Sequence, residues 1–211
     1  MKNLSIAVVG PGLIGKVHAD LIKNDNECTL VAFVAPITDE NREIASRFLV
    51  PLYPDIASLL SSELVDGIII ASPNEFHLEH AELCFKQNIP VLIEKPVVLD
   101  LNEAKLLVSL QEKFSAKACV GHHRAHSSFI KAGCEILREG KIGKPITVTG
   151  HAQFFKPDHY FEDGVWRTKE GGGPILINLI HEIGNLRALS GEIKSVQAIA
   201  TSGNRNFEVE D

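Results

Sequence analysis

The amino-acid sequence predicts an α/β domain built on a parallel sheet, followed by an α+β domain whose sheet is mostly antiparallel. In the first 121 residues, short apolar runs alternate with segments of helical periodicity. Apolar residues follow one another in these runs rather than alternating with polar ones, which is typical of parallel strands covered by helices on both faces. Beyond residue 121 the extended segments mix polar and apolar residues, as strands with one exposed face do. We therefore place a first domain at residues 1–121 and a second, partial one at residues 122–211.

The elements of the first domain alternate regularly along the chain. Strands are predicted at residues 4–9, 29–34, 65–71, 90–93 and 117–120, because each is a short apolar run. Helices are predicted at residues 13–23, 40–48, 55–62, 74–87 and 100–114, where apolar residues recur at helical spacing and Asp100 can cap the last helix. The crossovers between these parallel strands should be right-handed.

The second domain has fewer elements. Helices are predicted at residues 127–139 and from Pro174 to about residue 189, and strands at residues 145–155 and 193–201. Residues 206–211 resemble the start of a further strand, so the predicted sheet is short of partner strands. An open sheet edge favours association with another chain. We expect a shortened chain and a homo-oligomer formed through the second-domain sheet.

Composition and charge exclude several classes of function. The chain is 45% hydrophobic and 23% charged, as soluble globular proteins are. Its formal net charge of −6 argues against nucleic-acid binding. No apolar run approaches the roughly 18–20 residues that span a bilayer, and residues 1–5 lead into a strand without the features of a signal peptide. We expect a cytoplasmic protein with no nucleic-acid or membrane partner, whose four widely spaced cysteines are free thiols.

A glycine motif follows the first predicted strand. Gly10, Gly12 and Gly15 match G-x-G-x-x-G and open the first predicted helix, which is the context of a Rossmann-type dinucleotide site. In such a site the glycines permit a tight turn, a close approach of the pyrophosphate and close helix packing. The N–H groups at the start of the helix, including those of Leu13 and Ile14, would face the phosphates.

The end of the second strand should meet the ribose of the cofactor. An acidic residue that binds the ribose hydroxyls is expected there in an NAD enzyme, but Ala35 stands about 20 residues past the loop. The absence of a carboxylate removes one barrier to a 2′-phosphate, which Thr38 and Arg42 could contact. The sequence thus leaves NAD and NADP open, with a preference for NADP.

Short motifs follow two of the predicted strands. Glu94-Lys95-Pro96 follows the predicted strand 90–93, and Ala71-Ser72-Pro73-Asn74 with His77 follows the strand before it. Further along the chain stand Trp166-Arg167, then Gly171-Gly172-Gly173 and His181. Together these segments resemble the Gfo/Idh/MocA family of NAD(P)-dependent oxidoreductases, in which the last set would be the active-site segment of the second domain. The resemblance covers nearly the whole chain, and the ordered set of segments is more specific than any one of them.

The resemblance implies an oxidoreductase that transfers a hydride between a nicotinamide cofactor and a sugar, polyol or related hydroxylated compound. Lys95 and His181 would be its catalytic residues, because both can hold or move the alcohol proton. Pro96 could follow a cis peptide bond. The implied cofactor-binding residues beyond the glycine loop are Ala35, Thr38, Ser72, Pro73, Asn74, His77, Glu94 and Lys95. The implied substrate-binding residues are His123, Arg124, Trp166, Arg167, Asn178 and His181.

Two positions depart from the family's pattern. Many members carry Asp four residues before the catalytic histidine or three residues after it, where this chain has Ile177 and Gly184. Asn178 lies three residues before His181 and could face the same way, but an amide cannot accept a proton as a carboxylate does. An alternative is therefore a nucleotide-binding family member without catalytic activity, such as a sensor or a remnant.

Histidine clusters raise the question of a metal site. His122, His123 and His126 fall within five residues, and His77 and His80 are three apart on a predicted helix. Near His122, His123 and His126 no carboxylate or cysteine stands at a helpful spacing, and metal sites need convergent ligands with supporting partners. We expect no metal.

Overall fold

The computed structural model describes residues 3–162, 164–201 and 205–210. The chain divides into two compact units, Met1–Gly121 and His122–Asp211. Residues 1, 2 and 211, which belong to the predicted strand lead-ins at the two ends of the chain, lie outside the described residues.

The first unit contains a parallel sheet of six strands. Its strands are β1 (Leu4–Val9), β2 (Cys28–Val34), β3 (Leu52–Tyr53), β4 (Gly67–Ile70), β5 (Val91–Ile93) and β6 (Ala118–Val120). They lie in the order β3-β2-β1-β4-β5-β6, and all five pairings are parallel. The order reverses beside β1, and such a switch point is where open α/β sheets bind their ligands. The predicted parallel α/β domain is confirmed.

The helices of this unit pack on both faces of the sheet. They are α1 (Leu13–Lys23), α2 (Asp39–Phe48), α3 (Ile56–Ser62), α4 (His77–Lys86) and α5 (Leu101–Phe114). Val8 and Phe33 pack with residues of α1 and α2, whereas Val9 and Val34 pack with residues of α3, α4 and α5. Neighbouring strand residues thus enter opposite cores, which explains why apolar residues follow one another along these strands rather than alternating with polar ones.

Two local features of the first unit differ from the prediction. The strand β3 was not predicted, because its two residues stand between Pro51 and Pro54 and give no readable pattern. The predicted helix at residues 74–87 begins as a 3-10 turn, Asn74–Phe76, before α4 starts at His77.

The second unit contains α6 (Ser128–Arg138), α7 (Asp158–Glu162) and α8 (Ile180–Ser190). Short 3-10 turns lie at His123–His126 and Val165–Thr168, and a π-helical turn at Ile175–Leu179 runs into α8. The predicted helices at 127–139 and 174–189 therefore exist with modified ends. Among the described residues of the chain, no helix is both long and apolar enough to cross a membrane.

The two strands predicted in the second unit are not formed. Neither residues 145–155 nor residues 193–201 are hydrogen-bonded into a sheet in the part of the chain that the structure describes. An extended segment becomes a strand only when a neighbouring backbone completes its hydrogen bonds. Apolar side chains of both segments stand in solvent instead, with Ile146 96% and Ile199 92% exposed. Residues 206–210 contain a bend at Glu208 and Val209 rather than a strand, and Glu208 donates its backbone N–H to the carbonyl oxygen of Thr168.

Candidate functional site

The glycine loop is shaped by two close approaches of backbone to backbone. Gly10 has a φ of +88°, and a Cβ atom there would lie 2.7 Å from the carbonyl oxygen of Ala71 and from backbone atoms of Ser72. A Cβ on Gly15 would overlap the carbonyl oxygen of Gly10. Only glycine fits at these two positions, so the loop after β1 lies directly against the loop after β4.

The remaining side of the glycine loop is open. Among the residues that the structure describes, a Cβ on Gly12 would meet nothing within 4 Å, and no side chain caps the N-terminus of α1 at this residue. Leu13 is 75% exposed, so its side chain does not cover the helix end. The first-turn N–H groups and the positive end of the helix dipole therefore remain available to a phosphate.

A buried amide marks the neighbouring loop. Asn74 follows β4 and is only 9% exposed, yet its Nδ2 group has no hydrogen-bond partner in the part of the chain that the structure describes. A buried donor without a partner costs about 1–3 kcal/mol, so a bound polar group would satisfy it. The open face at Gly12 and this orphaned donor both fit a dinucleotide at this edge of the sheet.

His77 braces two loops at the same edge. Its side chain is 1% exposed, with Nδ1 3.0 Å from the carbonyl oxygen of Pro96 and Nε2 2.9 Å from that of Ser72. Burial lowers the pKa of His77, and the hydrogen bonds to the two carbonyls raise it only in part. A neutral imidazole carries one N–H, so it can donate to one of the two carbonyls at a time. The ring nitrogens of this predicted cofactor residue thus face protein backbone.

The Glu94-Lys95-Pro96 segment follows β5 at the carboxyl end of the sheet. The Lys95–Pro96 peptide bond is cis, as the sequence allowed. Glu94 is buried, and its Oε1 lies 2.8 Å from Nε2 of His18, while the backbone N–H of Lys95 donates to its Oε2 over 3.1 Å. Burial raises the pKa of the Glu94 carboxyl, but the hydrogen bonds and positive charges of His18 and Lys95 outweigh it and hold the pKa below its usual range.

His18 is a site residue that the sequence reasoning missed. It lies on α1, three positions after the buried Gly15 and four before the buried Ile22, and it is next to the buried Ala19. A polar residue on the buried face of an amphipathic helix must find a partner, and that position was the available signal.

The ribose end of the predicted site is formed by the residues after β2. Ala35 is buried and donates its N–H to the carbonyl oxygen of Tyr53. The hydroxyl of Thr38 accepts the N–H of Asn41 and caps α2. Arg42 is exposed on the next turn, and two acidic residues, Asp39 and Glu40, occupy the first turn of α2.

In the second unit, several predicted residues gather around His181. This histidine of α8 is 4% exposed, and the ring of His123 lies 4.5 Å away between centroids, that of His122 6.0 Å away. Arg124 forms an ion pair with Glu182 of α8. A cavity of about 330 Å³ is lined by His122, His181 and Gly184, among others. The missing side chain at Gly184 thus leaves space beside the histidines.

The other predicted substrate residues lie in different surroundings. Arg167 stacks over the ring of Tyr160 at 4.2 Å, lies 5.4 Å from that of Trp166, and donates to the carbonyl oxygen of Tyr160. Asn178 accepts a long hydrogen bond of 3.4 Å from the Lys156 ammonium, and its buried Nδ2 has no partner within residues 3–162, 164–201 and 205–210. Among the described residues, no three His, Cys, Asp or Glu side chains converge as metal ligands.

Each of the two units matches a family model. Residues 4–122 match the model of the oxidoreductase family with an NAD-binding Rossmann fold, and residues 131–211 match the C-terminal domain model of the same GFO/IDH/MocA group. The chain belongs to the Gfo/Idh/MocA oxidoreductase family. The resemblance seen in the sequence is thereby confirmed.

Individual relatives are distant in sequence. The chain is 24% identical to the rhizopine catabolism protein MocA of Rhizobium meliloti, over 96% of this chain and 62% of that protein. It is 27% identical to the myo-inositol 2-dehydrogenase of Thermotoga maritima, over 90% of this chain and 55% of that protein. The chain thus spans about six tenths or less of the length of these relatives.

Solved structures share the fold. The WlbA dehydrogenase from Bordetella pertussis, in complex with NADH and UDP-GlcNAcA, has a TM-score of 0.94 at 21% identity, covering 100% of this chain and 62% of that one. The myo-inositol 2-dehydrogenase from Lactobacillus plantarum has a TM-score of 0.79 at 26% identity, covering 90% of this chain and 57% of that one.

Proposed function

We propose that the protein is an NAD(P)-dependent oxidoreductase that transfers a hydride between the nicotinamide and a hydroxylated carbon of a sugar, polyol or related compound. The observation that carries the proposal is the open glycine loop at the N-terminus of α1, beside the orphaned amide of Asn74. Family membership and the dehydrogenase names of the relatives support the reaction class.

The proposed dinucleotide site uses the carboxyl edge of the sheet. The loop from Gly10 to Gly15, with Leu13 and Ile14, would hold the pyrophosphate on backbone N–H groups. Asn74 would donate to the cofactor, Ser72 and Pro73 would line it, and His77 would support these loops from behind. The bound nicotinamide supplies the hydride chemistry, and the protein supplies position and electrostatics.

Lys95 and His181 are the proposed catalytic residues, which hold and move the proton of the substrate hydroxyl. Asn178, with its unpartnered Nδ2, and His123 would donate to or accept from further hydroxyls. Arg124, Trp166 and Arg167 are the remaining proposed substrate contacts.

The cofactor preference follows from the end of β2. Ala35 presents no carboxylate to a 2′-phosphate, and Arg42 is exposed nearby in the sequence, so NADP is accepted. Asp39 and Glu40 in the first turn of α2 oppose the same phosphate. We therefore expect NADP to be preferred over NAD by less than about tenfold, which is about 1.4 kcal/mol.

The second unit is proposed to complete a mostly antiparallel sheet when partner strands are present. Residues 145–155 and 193–201 would then pair, and a homo-oligomer would form through this sheet. The solvent-exposed side chains of Ile146 and Ile199 support an interface there. The four free cysteines support a reducing, cytoplasmic location.

Calorimetry and a substrate panel test the function. The purified protein should bind NAD⁺ or NADP⁺ and should reduce it, at the absorbance band of the reduced nicotinamide, with at least one sugar or polyol. On that substrate, Lys95→Ala should lower kcat by about 10²–10⁴-fold, the usual contribution of a proton-transferring group. Binding without turnover on the whole panel would favour the non-catalytic alternative, and the absence of binding would contradict both.

A further inference from the structure

The carboxylate of Glu94 is enclosed by three parts of the first unit. Its Oε1 lies 2.8 Å from Nε2 of His18 on α1, and its Oε2 accepts the backbone N–H of Lys95. Gly121, which follows β6, approaches so closely that a Cβ there would lie 2.7 Å from Oε1. Glu94 itself is 8% exposed. One buried carboxylate therefore connects the glycine-loop helix, the segment of Lys95 and the end of β6.

The chemistry of this carboxylate fixes the direction of its hydrogen bonds. The pKa of Glu94 is held below its usual range, so the group is ionised at neutral pH and accepts only. Nε2 of His18 therefore carries a proton and donates to it. Hydrogen bonds to a charged acceptor are stronger than neutral ones, and removing a donor from a buried carboxylate costs free energy.

We propose that His18 is a positioning residue that couples the dinucleotide-binding helix α1 to Lys95 through Glu94. His18 lies one turn after Gly15, so two consecutive hydrogen bonds, both to Glu94, join the helix that would hold the phosphate to the backbone of Lys95. This inference rests on the proposed function for its purpose. The linkage itself is a property of the first unit and can be measured without turnover.

The test compares variants of one position. His18→Gln keeps an N–H donor at nearly the same reach, whereas His18→Leu keeps bulk without a donor, and Asp20→Ala changes an exposed residue of the same helix. The backbone amide of Lys95 is followed in protein labelled with ¹⁵N-lysine and is identified by its loss in Lys95→Arg. The dissociation constant of NAD⁺ is measured by calorimetry, and thermal unfolding reports folding.

The expected result separates the donor from the bulk of the side chain. In His18→Leu the Lys95 amide resonance should move upfield, and the dissociation constant of NAD⁺ should rise about tenfold, as for the loss of one charge-assisted hydrogen bond. In His18→Gln and Asp20→Ala, the Lys95 amide resonance and the dissociation constant of NAD⁺ should both stay close to the wild-type values. Should His18→Leu fail to fold, His18→Asn, whose donor is withdrawn by one methylene group, replaces it.

Two outcomes would overturn the proposal: an unchanged Lys95 amide in His18→Leu, or a His18→Gln protein that behaves like His18→Leu. A wild-type protein that binds no nicotinamide dinucleotide would instead contradict the proposed function. The Lys95 amide would then decide the role of His18 alone.

Discussion

Single positions without a side chain control the geometry of the glycine loop. At Gly15 an added Cβ would overlap the carbonyl oxygen of Gly10, which belongs to the same loop and cannot move away like the end of a flexible side chain. We expect Gly15→Ala to destabilise the protein by about 1–3 kcal/mol, as overpacking does, and to abolish dinucleotide binding. Gly12→Ala, where the space is open, is the matched control for stability. Equal unfolding free energies of the two variants in urea would contradict this explanation.

The buried ring of His77 makes stability depend on pH. Its pKa in the folded protein lies below the ordinary value of 6.5, so the unfolded chain binds the proton more tightly. Stability is therefore full above about pH 6.5 and is lost as the pH falls towards the folded pKa, at up to about 1.4 kcal/mol per pH unit. In His77→Gln this slope should be smaller. Denaturant titrations between pH 7.5 and about 5 measure it. His80→Gln is measured in parallel, because burial lowers the pKa of that neighbouring histidine as well.

At the level of elements, helix starts are set by local side chains. Asp100 accepts the backbone N–H groups of Asn102 over 2.6 Å and Glu103 over 2.9 Å, and so caps α5. We expect Asp100→Ala to cost about 1 kcal/mol of unfolding free energy, as the loss of a cap does, and to leave dinucleotide binding unchanged. Asp100→Asn, which still caps, should lose less. A fall in dinucleotide affinity in both variants would show that α5 also acts on the site.

Local signals made most of the first unit predictable. The bounds of β1 and α1 agree with the prediction, because an apolar run, a glycine motif and an amphipathic segment follow one another there. The π-helical turn at Ile175–Leu179 could not be read in the same way, since a period of 3.6 residues does not report where a helix widens. The strands predicted at residues 145–155 and 193–201 are not formed, because strand pairing depends on residues that are distant in the sequence.

The candidate site likewise contains features that local sequence patterns predict and features that they do not. The glycine loop is a continuous motif, so sequence alone located it. The contact of His18 with Glu94 joins positions 76 residues apart, and no local pattern announces the partner. The orphaned Nδ2 of Asn74 likewise depends on burial by the folded chain. Sequence thus predicted candidate residues from their chemical types, whereas the partners of those residues required the three-dimensional structure.

On the scale of the whole molecule, the two units differ in the size of their cores. The first contains both clusters of buried apolar side chains, one on each face of the sheet. In the second, the buried apolar side chains among the described residues are those of Phe161 and Ile177. Backbone amides of β1 and β4 should therefore exchange with deuterium far more slowly than those of α6 and α8. Equal protection factors in the two units, measured by mass spectrometry, would contradict this expectation.

The contact between Gly10 and Ser72 has a consequence for altering the protein. Two loops whose backbones touch without room for a methyl group must keep their lengths together, so insertion or deletion in either one would dislodge the other. The segment after β2, around Thr38 and Arg42, is exposed and carries no such constraint. Laboratory evolution of the cofactor choice should therefore accumulate its changes in that segment, and leave the glycine loop as it is.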